Sequence, residues 1–175
     1  MALRQVRQQG DEILGKKAKP VKEITPAIWA LLDDMKETMD AKEGVGIAAP
    51  QVGMLKRMAV VAFEDEFYEL INPEIIETEG TQVSNEACLS VAGLCGDIDR
   101  PMKVTVKATD RHGKEYTITA EEFVATVICH ELDHLDGILF TDIATNIKPL
   151  DDEEREARKA RRKRLAKSRK TETEN

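Results

Sequence analysis

A chain of 175 residues is one domain's worth, long enough to bury a core without disulfide staples. Its 41% hydrophobic and 34% charged residues are those of an ordinary globular protein, and no apolar run approaches the ~18 residues of a membrane span. Only 4% of residues are aromatic, which argues against base stacking, so no DNA partner and no membrane partner are expected. The net charge of −7 is unevenly placed: residues 155–170 hold ten Lys or Arg and one Glu, residues 151–175 together carry +3, and residues 1–150 carry −10.

The opening stretch MALRQVRQQGDEIL has no apolar export core and no small-residue cleavage site, so a cytoplasmic location is expected. Thr25 and Pro26 read as the N-cap and first residue of a helix. Along it Ile28, Leu31, Leu32, Met35 and Met39 recur at helical spacing, with Gly44 as its stop. MAVVAF (58–63) and ELINPEII (69–76) read as short strands, the second expected at an edge or a bend because Pro73 cannot donate to a ladder. Val104, Val106 and Ala108 alternate, Asp110 to Gly113 form a turn, and Tyr116 and Ile118 return as the second arm of a hairpin. Thr119 followed by Glu122 predicts a capping box for the next helix.

That helix carries CHELDHLDG (129–137). Phe123, Val127, His130 and His134 fall on one stripe and Val124, Ile128 and Leu135 on its neighbour, so the helix is apolar over most of its surface and should be central. Two imidazoles then point from a buried helix to one spot, where a divalent cation would satisfy both. Glu131, one position on from His130, is placed to move protons, as in the H-E-x-x-H metallohydrolases. A catalytic ion usually takes a third protein ligand. His112 lies in the hairpin turn and is expected to be exposed; Cys129 should be a packed core thiol; spacing leaves Cys88 and Cys95 undecided.

The segment GVGIAAPQVG (44–53) supplies a slim loop, in which Gly44 and Gly46 permit positive φ or close approach to a ligand. By itself it is as readily a plain helix-to-strand turn.

GVGIAAPQVG, EACLS (86–90) and CHELDHLDG resemble, in order and separation, the three motifs of the peptide deformylases, and the similarity extends over most of residues 1–150. The resemblance implies an α+β fold of small, mainly antiparallel sheets around a central metal-binding helix, with residues 1–150 as catalytic domain and residues 151–175 as a charged, basic tail or helix. It implies removal of the formyl group from formyl-methionine of newly made polypeptides, with release of formate. Carried over, Cys88, His130 and His134 are the metal ligands, Glu131 is the general base and then acid, and the Gln51 amide and the Leu89 backbone N–H receive the oxyanion. The substrate would lie extended near Val45, Gly46 and Ala87, as an added strand. The ion implied is Fe(II), with Zn(II), Ni(II) or Co(II) as substitutes. Three departures stand out: Ala87 where glycine is common, Cys95 where arginine is common, and Cys129 where glutamine is frequent. Residues 155–170 read either as a solvated terminus or as an arm for a polyanion, for which the resemblance suggests the ribosome.

Overall fold

The computed structural model describes residues 2–63 and 66–160. The N-terminal segment includes a short 3-10 turn, Glu12–Gly15, and is pinned to the following helix: the Ala2 N–H donates to Asp34 Oδ1 (2.7 Å) and the Arg4 N–H to Thr38 Oγ1 (2.9 Å). Helix α1, Pro26–Ala41, begins as expected at proline, whose fixed φ and missing N–H suit the first turn. The Thr25 side chain makes no capping hydrogen bond. The helix ends at Ala41 and the residue that takes the left-handed conformation is Glu43 (φ 53°), so Gly44 is not the conformational stop; its N–H closes onto Met39 O (2.8 Å).

Eight strands follow: β1 (Gly46–Ala48), β2 (Met58–Phe63), β3 (Glu66–Glu79), β4 (Gln82–Cys88), β5 (Val91–Arg100), β6 (Lys103–Thr109), β7 (Glu115–Glu121) and β8 (Thr145–Pro149). All pair antiparallel, in a five-stranded sheet of order β1-β2-β3-β6-β7 and a three-stranded sheet of order β4-β5-β8. Pro73 sits in β3, the middle strand of its sheet and not an edge. The missing donor is absorbed by a register shift between Ile71 and Glu74, where Asn72 turns left-handed (φ 50°) and its side chain bonds Val21 N and O, each at 2.8 Å.

Strand β2 is buried on both faces, which is why its sequence is a continuous apolar run. Met58, Val60 and Ala62 pack with Leu31, Leu32 and Met35 of α1; Ala59 and Val61 face the other way, into a core with helix α2 (Glu122–Leu135). Helix α2 follows β7 without a loop. Glu121 is its N-cap and Glu122 kinks left-handed (φ 51°), while Thr119 lies within β7, so the expected capping box does not form. Every residue from Ala125 to Leu132 is buried, because β1 and β2 cover one side of the helix and the three-stranded sheet approaches the other. A small third core of Leu14, Val91, Ile98, Leu139 and Phe140, the last in the short helix α3 (Phe140–Ile143), supports that second sheet. Residues 152–160 form a further helix against it.

Candidate active site

Cys88, at the end of β4, stands beside the two histidines of α2, and the donor atoms of Cys88, His130 and His134 lie within 4.8 Å of one another. The helical repeat brings the imidazoles together as the spacing predicted, with ring centres 5.0 Å apart and planes at 77°. Cys88 Sγ is 3.2 Å from His134 Nε2. Cys95, by contrast, is buried in β5 with its thiol toward Glu154 (3.8 Å), and Cys129 is buried in the α2 core, where desolvation raises its thiol to about 11. His112 is exposed in the β6–β7 turn, edge-on to Trp29. One thiol and two imidazoles therefore converge and the remaining cysteines and histidine stay apart.

A buried charge network orients this group. His130 Nδ1 pairs with Glu86 Oε2 (2.8 Å), so its Nε2 is the nitrogen left for a cation. Glu86 also accepts from Arg100 Nε (2.7 Å) and Nη2 (2.9 Å), and Arg100 Nη1 reaches Asp133 Oδ2 (2.7 Å). Burial pushes the Glu86 carboxyl up, but the bonds and charges of Arg100 and His130 outweigh it and hold the group below its ordinary range. Glu86 and Arg100 belong to the three-stranded sheet, His130 and Asp133 to α2, so one ionic cluster ties the two halves at the site.

Glu131 is 4% exposed, and its Oε2 has no hydrogen-bond partner among the described residues. Burial raises its carboxyl to about 7, the charge of His130 opposing and those of Glu86 and Asp133 adding to the rise. Its position explains one glycine directly. A Cβ at residue 46 would stand 2.5 Å from Glu131 Oε1 and 2.9 Å from its Cγ. Gly46 is thus required by the approach of a side chain; neither it nor Gly44 has positive φ.

Gln51 lies in the 3-10 turn Ala49–Val52 and is 1% exposed. The Ala48 N–H donates to its Oε1 (2.8 Å), which fixes the amide so that Nε2 faces Ser90 Oγ (3.2 Å) and Cys88 Sγ (3.5 Å). Val45 and Gly46 line one side of the cavity over this group, and Ala87 and Leu89 line the other. Phe123, Thr126 and Val127 of α2 line it as well. Eight of the nine site residues named from the sequence therefore line one cavity, and the ninth, His134, stands beside it against Cys88 and His130.

Sequence reasoning gave no role to Glu86, Ser90, Asp133 and Arg100. The first three lie inside or beside the quoted motifs, where a polar residue on a buried stretch is a visible signal; Arg100 carries no local signal, since only the fold brings it to Glu86.

A thiolate and two imidazoles, one with its second nitrogen committed to a carboxylate, are the donor set of a first-row transition metal, and the residues fit such an ion. With a buried glutamate beside them on an H-E-x-x-H helix, fold and site define a metallohydrolase.

A family model described as polypeptide deformylase matches residues 3–150. The chain is 51% identical to the peptide deformylase of Acetivibrio thermocellus, over 94% of this chain and 95% of that one. Among solved structures it is similar to the peptide deformylase of Thermotoga maritima (36% identity, TM-score 0.81, 83% of this chain and 99% of that one). It is also similar to the Met-Ala-Ser-bound class I type b enzyme of Acinetobacter baumannii (33% identity, TM-score 0.78, 81% and 98%). The chain belongs to the polypeptide deformylase family.

Proposed function

We propose that this chain hydrolyses the N-terminal formyl group of formyl-methionyl polypeptides, releasing formate and a free amino terminus. The observation that carries the reading is the convergence of Cys88, His130 and His134 beside a cavity lined by Cys88, His130, Glu131 and Gln51. We take Cys88, His130 and His134 as the ligands, and Fe(II) as the resident ion with Zn(II), Ni(II) or Co(II) as substitutes; the donor set suits all four, and the likeness to the family favours iron. When bound, the ion supplies Lewis acidity and makes water nucleophilic near neutral pH.

Glu131 takes a proton from the attacking water, whose oxygen adds to the formyl carbon. Its carboxyl, raised to about 7, is matched to a proton exchange at neutral pH. As the C–N bond breaks, the same proton passes from Glu131 to the leaving amine. The amide of Gln51, held by the Ala48 N–H, and the backbone N–H of Leu89 donate to the oxygen that gains charge. Strands β1 and β4 are each at the edge of a sheet and both line the cavity, so a peptide can lie between Val45, Gly46 and Ala87 as an added strand. The Acinetobacter relative is solved with Met-Ala-Ser bound, a short peptide of the kind this reading takes as ligand. The methionine side chain then meets the wall of Phe123, Thr126 and Val127.

Residues 1–150 act as the catalytic unit in this reading, with residues 151–175 as a basic appendage. Substrates made on ribosomes carry a cytoplasmic location with them, and the charge of residues 155–170 suits an RNA surface. Residues 161–170 of that stretch lie outside the described residues. Loss of ribosome co-sedimentation at low salt on deleting residues 161–175 is the outcome expected; unchanged co-sedimentation rejects the contact.

Anaerobic formate release from formyl-Met-Ala by Fe(II)-loaded protein tests the activity. Glu131→Gln with equal metal content is expected to lower kcat by about 10²–10⁴-fold. Turnover by the variant at the parent rate would overturn the assignment of Glu131, and no turnover by the parent would overturn the function.

A further inference from the structure

The wall of the reaction cavity includes a residue from outside the family match, Arg158 of the helix 152–160. Its Nη2 donates to Asn85 O (3.1 Å) and to Asn85 Oδ1 (2.6 Å), and Asn85 Nδ2 in turn donates to Asp97 Oδ1 (2.7 Å). The helix that carries it is held in place by a capping pair, Glu154 N to Asp151 Oδ1 (2.7 Å), and by Lys148 Nζ to Glu154 Oε1 (2.8 Å). Among the described residues no carboxylate forms an ion pair with Arg158. The guanidinium has five N–H donors, and Nη2 alone is committed to Asn85, so Nη1 and Nε keep donors for an acceptor in the cavity. A partly buried cation that bonds one neutral side chain, has the charge of Glu154 nearby without an ion pair to it, and lines a cavity is an arrangement able to recognise a carboxylate.

Register along β4 says which part of a peptide would meet it. Asn85 precedes Cys88 by three residues, at most about 10 Å of strand at ~3.3 Å per residue, with a register shift between Glu86 and Cys88. A formyl-peptide lying along β4 with its formyl carbon at Cys88 and Glu131 brings its third residue to the level of Asn85. In an extended chain the first and third side chains share a face, so a third side chain lies on the methionine's side of the cavity that Arg158 also lines.

Resting on the deformylase reading, we infer that Arg158 is a specificity-determining residue for formyl-peptides with a carboxylate at the third position, either an acidic side chain or the terminal carboxylate of a tripeptide. Asn85 acts as the positioning residue for its guanidinium.

The test compares kcat/KM of the full-length Fe(II) enzyme on formyl-Met-Ala-Glu-amide, formyl-Met-Ala-Gln-amide, formyl-Met-Ala-Lys-amide and formyl-Met-Ala-Gln with a free carboxylate. Wild-type protein should favour the Glu peptide over the Gln peptide by about three- to fivefold, the range of a partly exposed ion pair, and disfavour the Lys peptide similarly. The difference should fall on KM more than kcat and shrink at 0.5 M salt. Preference for the free carboxylate over its amide assigns the terminal group; preference for the Glu amide alone assigns the side chain; either supports the inference. Arg158→Gln should flatten the series and Arg158→Glu should invert it in favour of the Lys peptide, a gain that misfolding cannot produce. Equal rates on the four peptides, or the same series in Arg158→Glu as in the parent, would overturn it. Failure to turn over any formyl-peptide would instead reject the activity itself.

Discussion

The two sheets of this molecule are stabilised in different ways, and the candidate site lies on the seam between them. The five-stranded sheet is covered on both faces at β2, where α1 closes one side and α2 the other with apolar cores on each, and buries one face along β6 and β7. The three-stranded sheet has only a small core around Leu14, Ile98 and Phe140, and its outer contacts with residues 152–160 are polar. Helix α2 contributes two imidazoles and Glu131 from the well-packed half; β4 contributes Cys88 from the other. The Glu86–Arg100–Asp133 cluster spans the seam. A site whose parts come from both halves is only as well aligned as that clamp.

Cutting the clamp is expected to have the largest effect. Arg100→Leu leaves the buried Glu86 and the half-buried Asp133 without their cation, and should lower unfolding free energy by about 3–5 kcal/mol by denaturant titration. Metal retained after gel filtration should fall with it, since Glu86 would no longer hold His130 at a fixed angle. Parent-like stability and metal content would mean that packing alone aligns the halves.

Next in size is Gly46→Ala, which tests the alignment from the five-stranded side. The added methyl must displace the Glu131 carboxylate, and a misplacement of about 1 Å can cost about 10²-fold in rate. Formate assays should show kcat reduced by that order with metal content retained. An unreduced kcat would indicate that Glu131 has room to move.

Within the well-packed half, Tyr116 of β7 donates to Glu69 O of β3 (2.6 Å). Tyr116→Phe should cost about 1 kcal/mol at neutral pH. Burial, with the charges of Glu69 and Asp110, raises this phenol above its ordinary value. The unfolded chain therefore loses the proton first. The stabilisation is complete below pH ~10 and declines as pH rises beyond it. Denaturant titrations above that pH should show a shallower decline in the variant; identical slopes would reject a buried neutral phenol.

The smallest effect is expected at the polar edge. Lys148→Ala removes an exposed pair with Glu154, and pairs of this kind often contribute nothing measurable. The thermal midpoint should not move, whereas a clear fall would mean that residues 152–160 bear on the stability of the second sheet.

Much of this was legible in the amino-acid order because it depends on local periodicity. The apolar face of α1, the β6–β7 hairpin, and the stripe that sets His130 beside His134 follow from 3.6-residue or two-residue repeats, and β2 from a short continuous apolar run. Reading failed where a long-range contact overrode a local signal. Thr119 and Glu122 have the spacing of a capping box, but cross-strand pairing with Thr105 keeps Thr119 in β7. Pro73 left an edge or a bend open, and the contact of Asn72 with Val21 goes with a bulge in a central strand.

Sequence by itself determined the donor types, the helix that presents two of them, and the likeness of three motifs to one family, because each resides in neighbouring residues. Tertiary structure decided which cysteine joins the histidines, why residue 46 has no side chain, how Arg100 couples the halves, and that Arg158 reaches the cavity. These depend on residues dozens of positions apart, such as Cys88 with His134 and Asn85 with Arg158. Pairing of this kind is set by the packing of two sheets around one helix, and no local repeat encodes it.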